Sequence, residues 1–396
     1  MKKTKRALSA LLAVVMLFSL TACGSRSGRT EDKGSSKYRV AMITDSADIT
    51  DQSFNQTTYE ACDAYCSEND VDFTYLKPDG DTDYARIAMV DVAVADGYNV
   101  IVMAGYVFAE TLIETTFKYP DVKFIVMDMT AGDIISTAVG NAYYDNPDAY
   151  DEADYYNTEN TYCAVYKEEL PGYMAGYAAV RMGYHSLGYL GGMAVPAVMR
   201  FGYGFVQGIN DAANELGITD EVSVQYAYGG QFYGSTEITA AMDTWYSSGT
   251  EVVFACGGGI FTSAAEAAAK TGGKVIGVDN DQAAIIDAYG EGMTVTSAMK
   301  SLTATVNAML DAIIRTDTWE EHVGKIESLG LVSGEDMSLN YVGLPEESTQ
   351  WNDKFTVDDY HALVNSLYNG EITVNDSVEQ MPEVSIQVNV REGTIM

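Results

Sequence analysis

A chain of 396 residues with 57 acids against 23 lysines and arginines carries a formal charge of −34, which repels nucleic acid and anionic lipid headgroups. Solubility outside a cell is the plainest reason for such an excess, and no nucleic-acid partner is expected. Three histidines leave little material for a catalytic metal centre.

Lys2, Lys3, Lys5 and Arg6 precede an apolar run over 7–20 that is too short to span a bilayer, so it reads as the core of an export signal. It ends in Leu20-Thr21-Ala22-Cys23, which resembles the bacterial lipobox, where the cysteine is acylated and becomes the new N-terminus. The resemblance implies a signal peptide over 1–22 and lipid on Cys23. A membrane is then held through that lipid alone, at the outer face of the cytoplasmic membrane. Loss of the four leader cations takes the formal charge from −34 to −38. The Ser/Gly-rich segment up to Lys37 reads, with Cys23, as a flexible tether over 23–37. ATP and nicotinamide cofactors are not maintained outside the membrane. Binding therefore gains weight over cofactor chemistry, and no cofactor is expected.

From Tyr38 the pattern predicts a strand over 38–44, a helix over 53–68, a strand over 71–76 and a helix over 83–96. A buried strand over 100–103, a helix over 108–117 and a strand over 122–127 follow. The segment 141–160, rich in Asp, Tyr and Asn, interrupts the alternation and reads as a solvated loop. Neither it nor Asp79-Gly80-Asp81-Thr82-Asp83 has EF-hand spacing, since the twelfth position from Asp79 is Val90. The alternation then restarts, with strands over 187–190, 222–226, 252–255, 275–278 and 294–298. Helices are expected over 199–216, 235–246, 262–270 and 301–315, and a last strand over 384–390 packs back on one lobe. Two successive β-α-β units imply two lobes, each a parallel sheet with helices on both faces. Cys62, Cys66, Cys163 and Cys256 read as small buried residues, although an extracytoplasmic setting leaves a bridge open.

In open parallel sheets, ligands gather beyond the carboxyl ends of the strands. There the sequence places Thr44-Asp45 and Phe54-Asn55, Gly105-Tyr106, Asp128, Gly191-Gly192, Gly229-Gly230, Gly257-Gly258-Gly259, Asp279-Asn280-Asp281 and Lys300. Glycines let a ligand approach the backbone, and carboxylates and amides supply fixed polar partners. Each alone is an ordinary turn residue. Their recurrence at nearly every strand end points to a site.

Ala41-Met42-Ile43-Thr44-Asp45 with Asp51-Gln52-Ser53-Phe54-Asn55-Gln56 resembles the opening motif of the basic membrane lipoprotein family, the purine-nucleoside receptors of ABC importers. Similar to that family too are Glu168-Glu169 through Gly172-Tyr173-Met174-Ala175-Gly176, Gly191-Gly192-Met193 with Pro196, Phe201 and Gly204-Phe205. So are Val275-Ile276-Gly277-Val278-Asp279 and Ser297-Ala298-Met299-Lys300. The resemblance implies an α/β, two-lobed type I periplasmic-binding-protein fold with the ligand in a cleft between lobes. It puts 38–157 and 299–325 in the N-terminal lobe, 158–298 and 326–396 in the C-terminal one. It implies a monomer that captures a nucleoside, purine foremost, and hands it to a membrane permease. Phe54 and Phe201 would sandwich the base, Asn55 and Asp128 would bond its edge, and Tyr106 would line its pocket. Asp45 would contact the ligand near the first strand, and Asp279 and Lys300 would take the ribose with the Gly257 loop close by. Ser46-Ala47-Asp48-Ile49 departs from the paired glycines usual in the family, as does the triple glycine at 257–259, which bears on base preference.

Other readings remain. A nucleoside-cleaving enzyme needs an activated water, but His185, His322 and His361 follow no predicted strand at the cleft. A binding protein or sensor for a sugar or other small polar ligand uses the same fold, and fold alone does not give function.

Overall fold

A computed structural model describes residues 36–45 and 47–395; the export signal, Cys23 and nearly all of the expected tether lie outside them. Strands β1 (Arg39–Ile43), β2 (Asp72–Leu76), β3 (Val100–Ala104), β4 (Lys123–Met127) and β5 (Thr161–Tyr166) come first. Then follow β6 (Ser186–Gly191), β7 (Ser223–Tyr228), β8 (Val252–Cys256), β9 (Lys274–Asp279) and β10 (Thr294–Lys300), and last β11 (Ile326–Leu329), β12 (Val342–Gly343) and β13 (Gln387–Thr394). The helices that matter below are α1 (Phe54–Glu68), α2 (Asp83–Ala95), α3 (Ala109–Thr115), α4 (Ala131–Val139) and α5 (Glu169–Met182). With them stand α6 (Pro196–Leu216), α7 (Thr236–Ser247), α8 (Phe261–Thr271), α9 (Leu302–Ile314) and α10 (Val357–Tyr368).

Two sheets form, in the orders β11-β5-β4-β3-β1-β2 and β12-β10-β9-β8-β6-β7-β13. Apart from the antiparallel β10–β12 contact, the pairings are parallel. The windings β2-β1-β3-β4-β5 and β7-β6-β8-β9-β10 are the same, so each sheet reverses direction beside its first strand and opens a crevice at the carboxyl edge. Strand alternation sorts side chains to two faces. Val40 and Met42 pack with Cys62 of α1 and Val306 of α9, while Ala41 and Ile43 pack with Val90 of α2 and Leu112 of α3. In the second sheet Tyr189 and Phe254 face Phe205 of α6, and Leu190 and Val253 face Met242 of α7 and Ala264 of α8. Each lobe is thus a parallel sheet between two helical layers. Cys62, Cys66, Cys163 and Cys256 are buried and unbridged, and burial pushes the Cys66 thiol up to about 12.

Three strands escaped the sequence reading, β5, β11 and the two-residue β12. β5 alternates tyrosine with small residues and β11 is polar, so neither presents a Val/Ile run; yet β5 pairs with β4 and with β11. Both stretches, allotted above to the C-terminal lobe, are hydrogen-bonded into the first sheet. The chain therefore crosses between sheets at Lys167-Glu168, at Ser301 and over 330–341. The crossovers bond to one another: Lys167 N–H donates to Leu329 O at 2.9 Å, Ser301 N–H to Tyr341 O at 2.8 Å and Tyr341 N–H to Gly330 O at 3.0 Å.

After the first crossover, α5 lies directly against α6. A Cβ at Gly172 or Gly176 would sit 2.2 Å from the carbonyl oxygen of Phe201 or Phe205. One at Gly204 or Gly208 would sit 2.1 or 2.0 Å from that of Glu169 or Tyr173. Gly172-x-x-x-Gly176 and Gly204-x-x-x-Gly208 interlock, so the two backbones touch and any side chain there collides. This contact sets the depth at which Phe201 and Arg200 enter the cleft.

Candidate ligand site

The nine residues singled out in the sequence, Asp45, Phe54, Asn55, Tyr106, Asp128, Phe201, Gly257, Asp279 and Lys300, all line one cavity between the two sheets. It encloses about 860 Å³ of space, its open mouth included. This lies in the range of pockets for small organic ligands.

Lys300, the last residue of β10, ends almost wholly buried beneath this cavity. Its Nζ donates to Asp128 Oδ2 at 2.6 Å and stands 3.6 Å from Glu168 Oε1 and 3.8 Å from Asp279 Oδ1. Burial alone would discharge the amine; the carboxylates of Asp128, Asp279 and Glu168 outweigh it and hold the ammonium charged. The same Nζ lies 4.7 Å from the Phe54 ring centroid, 5.4 Å from that of Tyr166 and 5.7 Å from that of Phe201. Phe54 comes from the first turn of α1 in the first lobe, Phe201 from α6 in the second. Phe201 is 2% exposed and meets Phe254 edge to face at 5.9 Å.

Asp279 ends β9 with its carboxyl pushed up to about 6, chiefly by burial, against the pull of Lys300 and of Ser53, whose hydroxyl donates to it at 2.5 Å. Asn280 Nδ2 donates to Thr57 Oγ1 at 2.8 Å and Gln282 Nε2 to Gln52 O at 2.9 Å. The loop before α1 and the first turn of α1 therefore bridge directly to the loop after β9 in the other lobe. Tyr106, after β3, brings its hydroxyl 3.9 Å from Met193 Sδ across the opening. Gly257 takes φ +129°, and a Cβ there would lie 2.8 Å from the Phe232 ring.

Asn55 is 2% exposed and sits where Asp51 caps α1. Asp51 accepts from the N–H groups of Ser53, Asn55 and Gln56 at 3.0 Å each, and from Asn55 Nδ2 at 3.1 Å. Asp45 Oδ1 accepts from Ala47 N–H at 2.6 Å and from the same Asn55 amide at 3.3 Å.

Sequence reasoning missed the support beneath the site. Glu168 Oε2 accepts from Arg200 Nε at 2.6 Å with no exposed side-chain surface, so Arg200, itself in the cavity wall, is tied down by a residue outside it. Glu168 lay within a quoted motif, but nothing in its spacing tells that two cations would converge on it. Phe232, over Gly192 and Gly257, was also missed.

Comparison with known proteins agrees with this geometry. The family model for Bmp, described as ABC transporter substrate-binding protein PnrA-like, matches residues 38–378. The "CD4+ T-cell-stimulating antigen" of Listeria innocua is 29% identical over 71% of this chain and 74% of its own. The "ABC transporter nucleoside-binding protein BmpA" of Lactococcus lactis is 26% identical over 71% and 75%. A solved ABC transporter solute-binding protein from Conexibacter woesei superposes with a TM-score of 0.62 at 20% identity, over 86% of this chain and 99% of that one, a likeness of fold alone. The match along nearly the whole described chain places this chain in the Bmp family of ABC transporter substrate-binding proteins, a family of binding proteins and not of enzymes.

Proposed function

We propose that the protein is lipid-anchored through Cys23 at the outer face of the cytoplasmic membrane, captures nucleosides, purine foremost, and delivers them to an ABC permease. The observation that carries the ligand is the convergence of two phenyl rings, one from each lobe, on a single buried ammonium, 4.7 and 5.7 Å from it. A flat ring between them gains on the order of 1–3 kcal/mol per aromatic face. Carboxylates in the wall accept sugar hydroxyls or ring N–H groups as charge-assisted bonds, with Asp279 and Lys300 assigned to the ribose.

The charge balance favours a neutral ligand. Lys300 is engaged by three carboxylates and Arg200 by Glu168, while Asp45, Asp51 and Asp133 add further negative charge to the wall. Carboxylates thus outnumber cations among the described residues of the wall, a balance that disfavours phosphate and favours nucleosides over nucleotides. A ligand touching both lobes favours the shut form by its differential affinity, and the permease reads that form. The name of the Lactococcus lactis relative points the same way.

Calorimetry with guanosine, inosine, guanosine monophosphate and ribose tests the reading. It expects heat from the nucleosides only, and a loss of at least about 1 kcal/mol in Phe54→Ala. Absence of binding by any nucleoside, with ribose bound instead, would overturn it.

A further inference from the structure

Resting on the nucleoside reading, we infer that the end of the cavity by α1 selects a base edge carrying hydrogen-bond donors, and that Asp51 is the residue that sets this selection. An asparagine carboxamide ordinarily offers a ligand either its oxygen or its NH₂, depending on which way it turns. Here it cannot turn. Its Nδ2 lies between two carboxylates, 3.1 Å from Asp51 Oδ2 and 3.3 Å from Asp45 Oδ1, and carboxylate oxygens accept from the NH₂ where the amide oxygen would find no donor. Asp51 is itself immobilised by three backbone N–H groups at the start of α1.

What remains is the amide oxygen. Asn55 Oδ1 is buried in the lining with no hydrogen-bond partner among the described residues, and so is Asp128 Oδ1, whose sister oxygen is taken by Lys300. Thr130, next along the wall, donates its hydroxyl and N–H to Asp133 in closing the capping box of α4, and its hydroxyl oxygen accepts from Asp133 N–H. This stretch of wall therefore presents acceptors. A buried acceptor left unmet is costly, and an edge with N–H and NH₂ groups, as in guanine, offers a donor for each. Adenine directs a ring-nitrogen lone pair at the same place, and hypoxanthine brings one donor instead of two.

The test measures the dissociation constants of guanosine, inosine, adenosine and 1-methylguanosine on the whole chain and on Asp51→Asn. In the unaltered protein guanosine binds tightest, with adenosine and 1-methylguanosine at least about tenfold weaker. In Asp51→Asn the new amide can donate to the Asn55 oxygen and let the carboxamide turn, so the guanosine-to-adenosine ratio falls at least about fivefold. Thermal melting checks that this variant folds, and the ligand series on the unaltered protein stands without it. All four nucleosides binding within about threefold of one another would overturn the selection while leaving nucleoside capture intact. An unchanged ratio in a folded Asp51→Asn protein would remove Asp51 from the role. Failure of every nucleoside to bind would sink both readings.

Discussion

Asp128 and Asp279 occupy corresponding places in the two lobes, and both face the Lys300 ammonium, at 2.6 and 3.8 Å. Each follows or ends the fourth strand of its winding and holds a left-handed backbone, φ 58° and 68°. Only a few per cent of non-glycine residues adopt that conformation, and it persists where the surroundings enforce it. Gly105 and Gly257, after the third strands, repeat the relationship with φ 122° and 129°. Two copies of one local solution thus meet at a single cation.

On the proposed ribose role Asp279 acts as a carboxylate, and its carboxyl is raised to about 6. A proton competes with the hydroxyl below that value. Guanosine affinity is therefore expected to fall, by up to about tenfold, as pH drops from about 7 to about 5. Asp279→Ala should remove that dependence and weaken ribosides more than free bases, and calorimetry at several pH values checks both. Equal losses for riboside and base would remove the assigned role.

Glu168 joins the first crossover to Arg200 and Lys300 from a fully buried position. Burial pushes its carboxyl up, opposed by the two cations. Glu168→Ala leaves two cations short of a counter-charge and is expected to cost about 3–5 kcal/mol of stability. Glu168→Gln, which keeps the shape and one acceptor, should recover part of this but still weaken nucleoside binding. Urea unfolding and calorimetry on the two variants decide the matter, and an alanine variant as stable as the parent would show the pairing to be idle.

Glu169, beside it, is 4% exposed, has an Oε2 with no hydrogen-bond partner among the described residues, and is pushed up to about 7 by burial. Its folded pKa exceeds the ordinary 4.5, so its stabilising contribution is complete below about 4.5 and is lost as pH rises through about 7. Glu169→Gln should accordingly gain about 1–3 kcal/mol relative to the parent at pH near 8.5 and nearly nothing near 4.5. Melting curves at the two pH values measure the difference; a gain independent of pH would contradict the assignment.

Gly204→Ala places a methyl 2.1 Å from the Glu169 carbonyl oxygen, a backbone atom that cannot swing aside. The helix-propensity gain of about 1 kcal/mol is outweighed by the overlap, and a net loss of about 2 kcal/mol or more is expected. The same shift lifts Phe201 and Arg200, so nucleoside affinity should fall as well. Chemical denaturation with calorimetry tests the pair of effects, and a neutral variant would mean that α5 and α6 do not touch as described.

The alternation of apolar runs with helical periods was enough to place β1 to β4 and β6 to β10; it was plainest for β1, β3, β4, β8 and β9, because buried parallel strands are nearly continuous apolar runs with little else able to fill their two covered faces. Strand ends marked by Asp, Asn and Gly were legible for the same local reason, and with them eight of the nine candidate residues; Phe201, inside α6, was named only by the family resemblance. Composition fixed the acidic charge, and the leader pattern carried the expectation of export. Tertiary structure alone decided the rest. β5 became a strand because β4 and β11 flank it, Glu168 became the anchor of two cations because two crossovers run side by side, and Asn55 became an acceptor because Asp45 and Asp51 close on its amide. Each of these depends on distances between residues far apart in the chain or on the orientation of one side chain. Local periodicity carries no record of either.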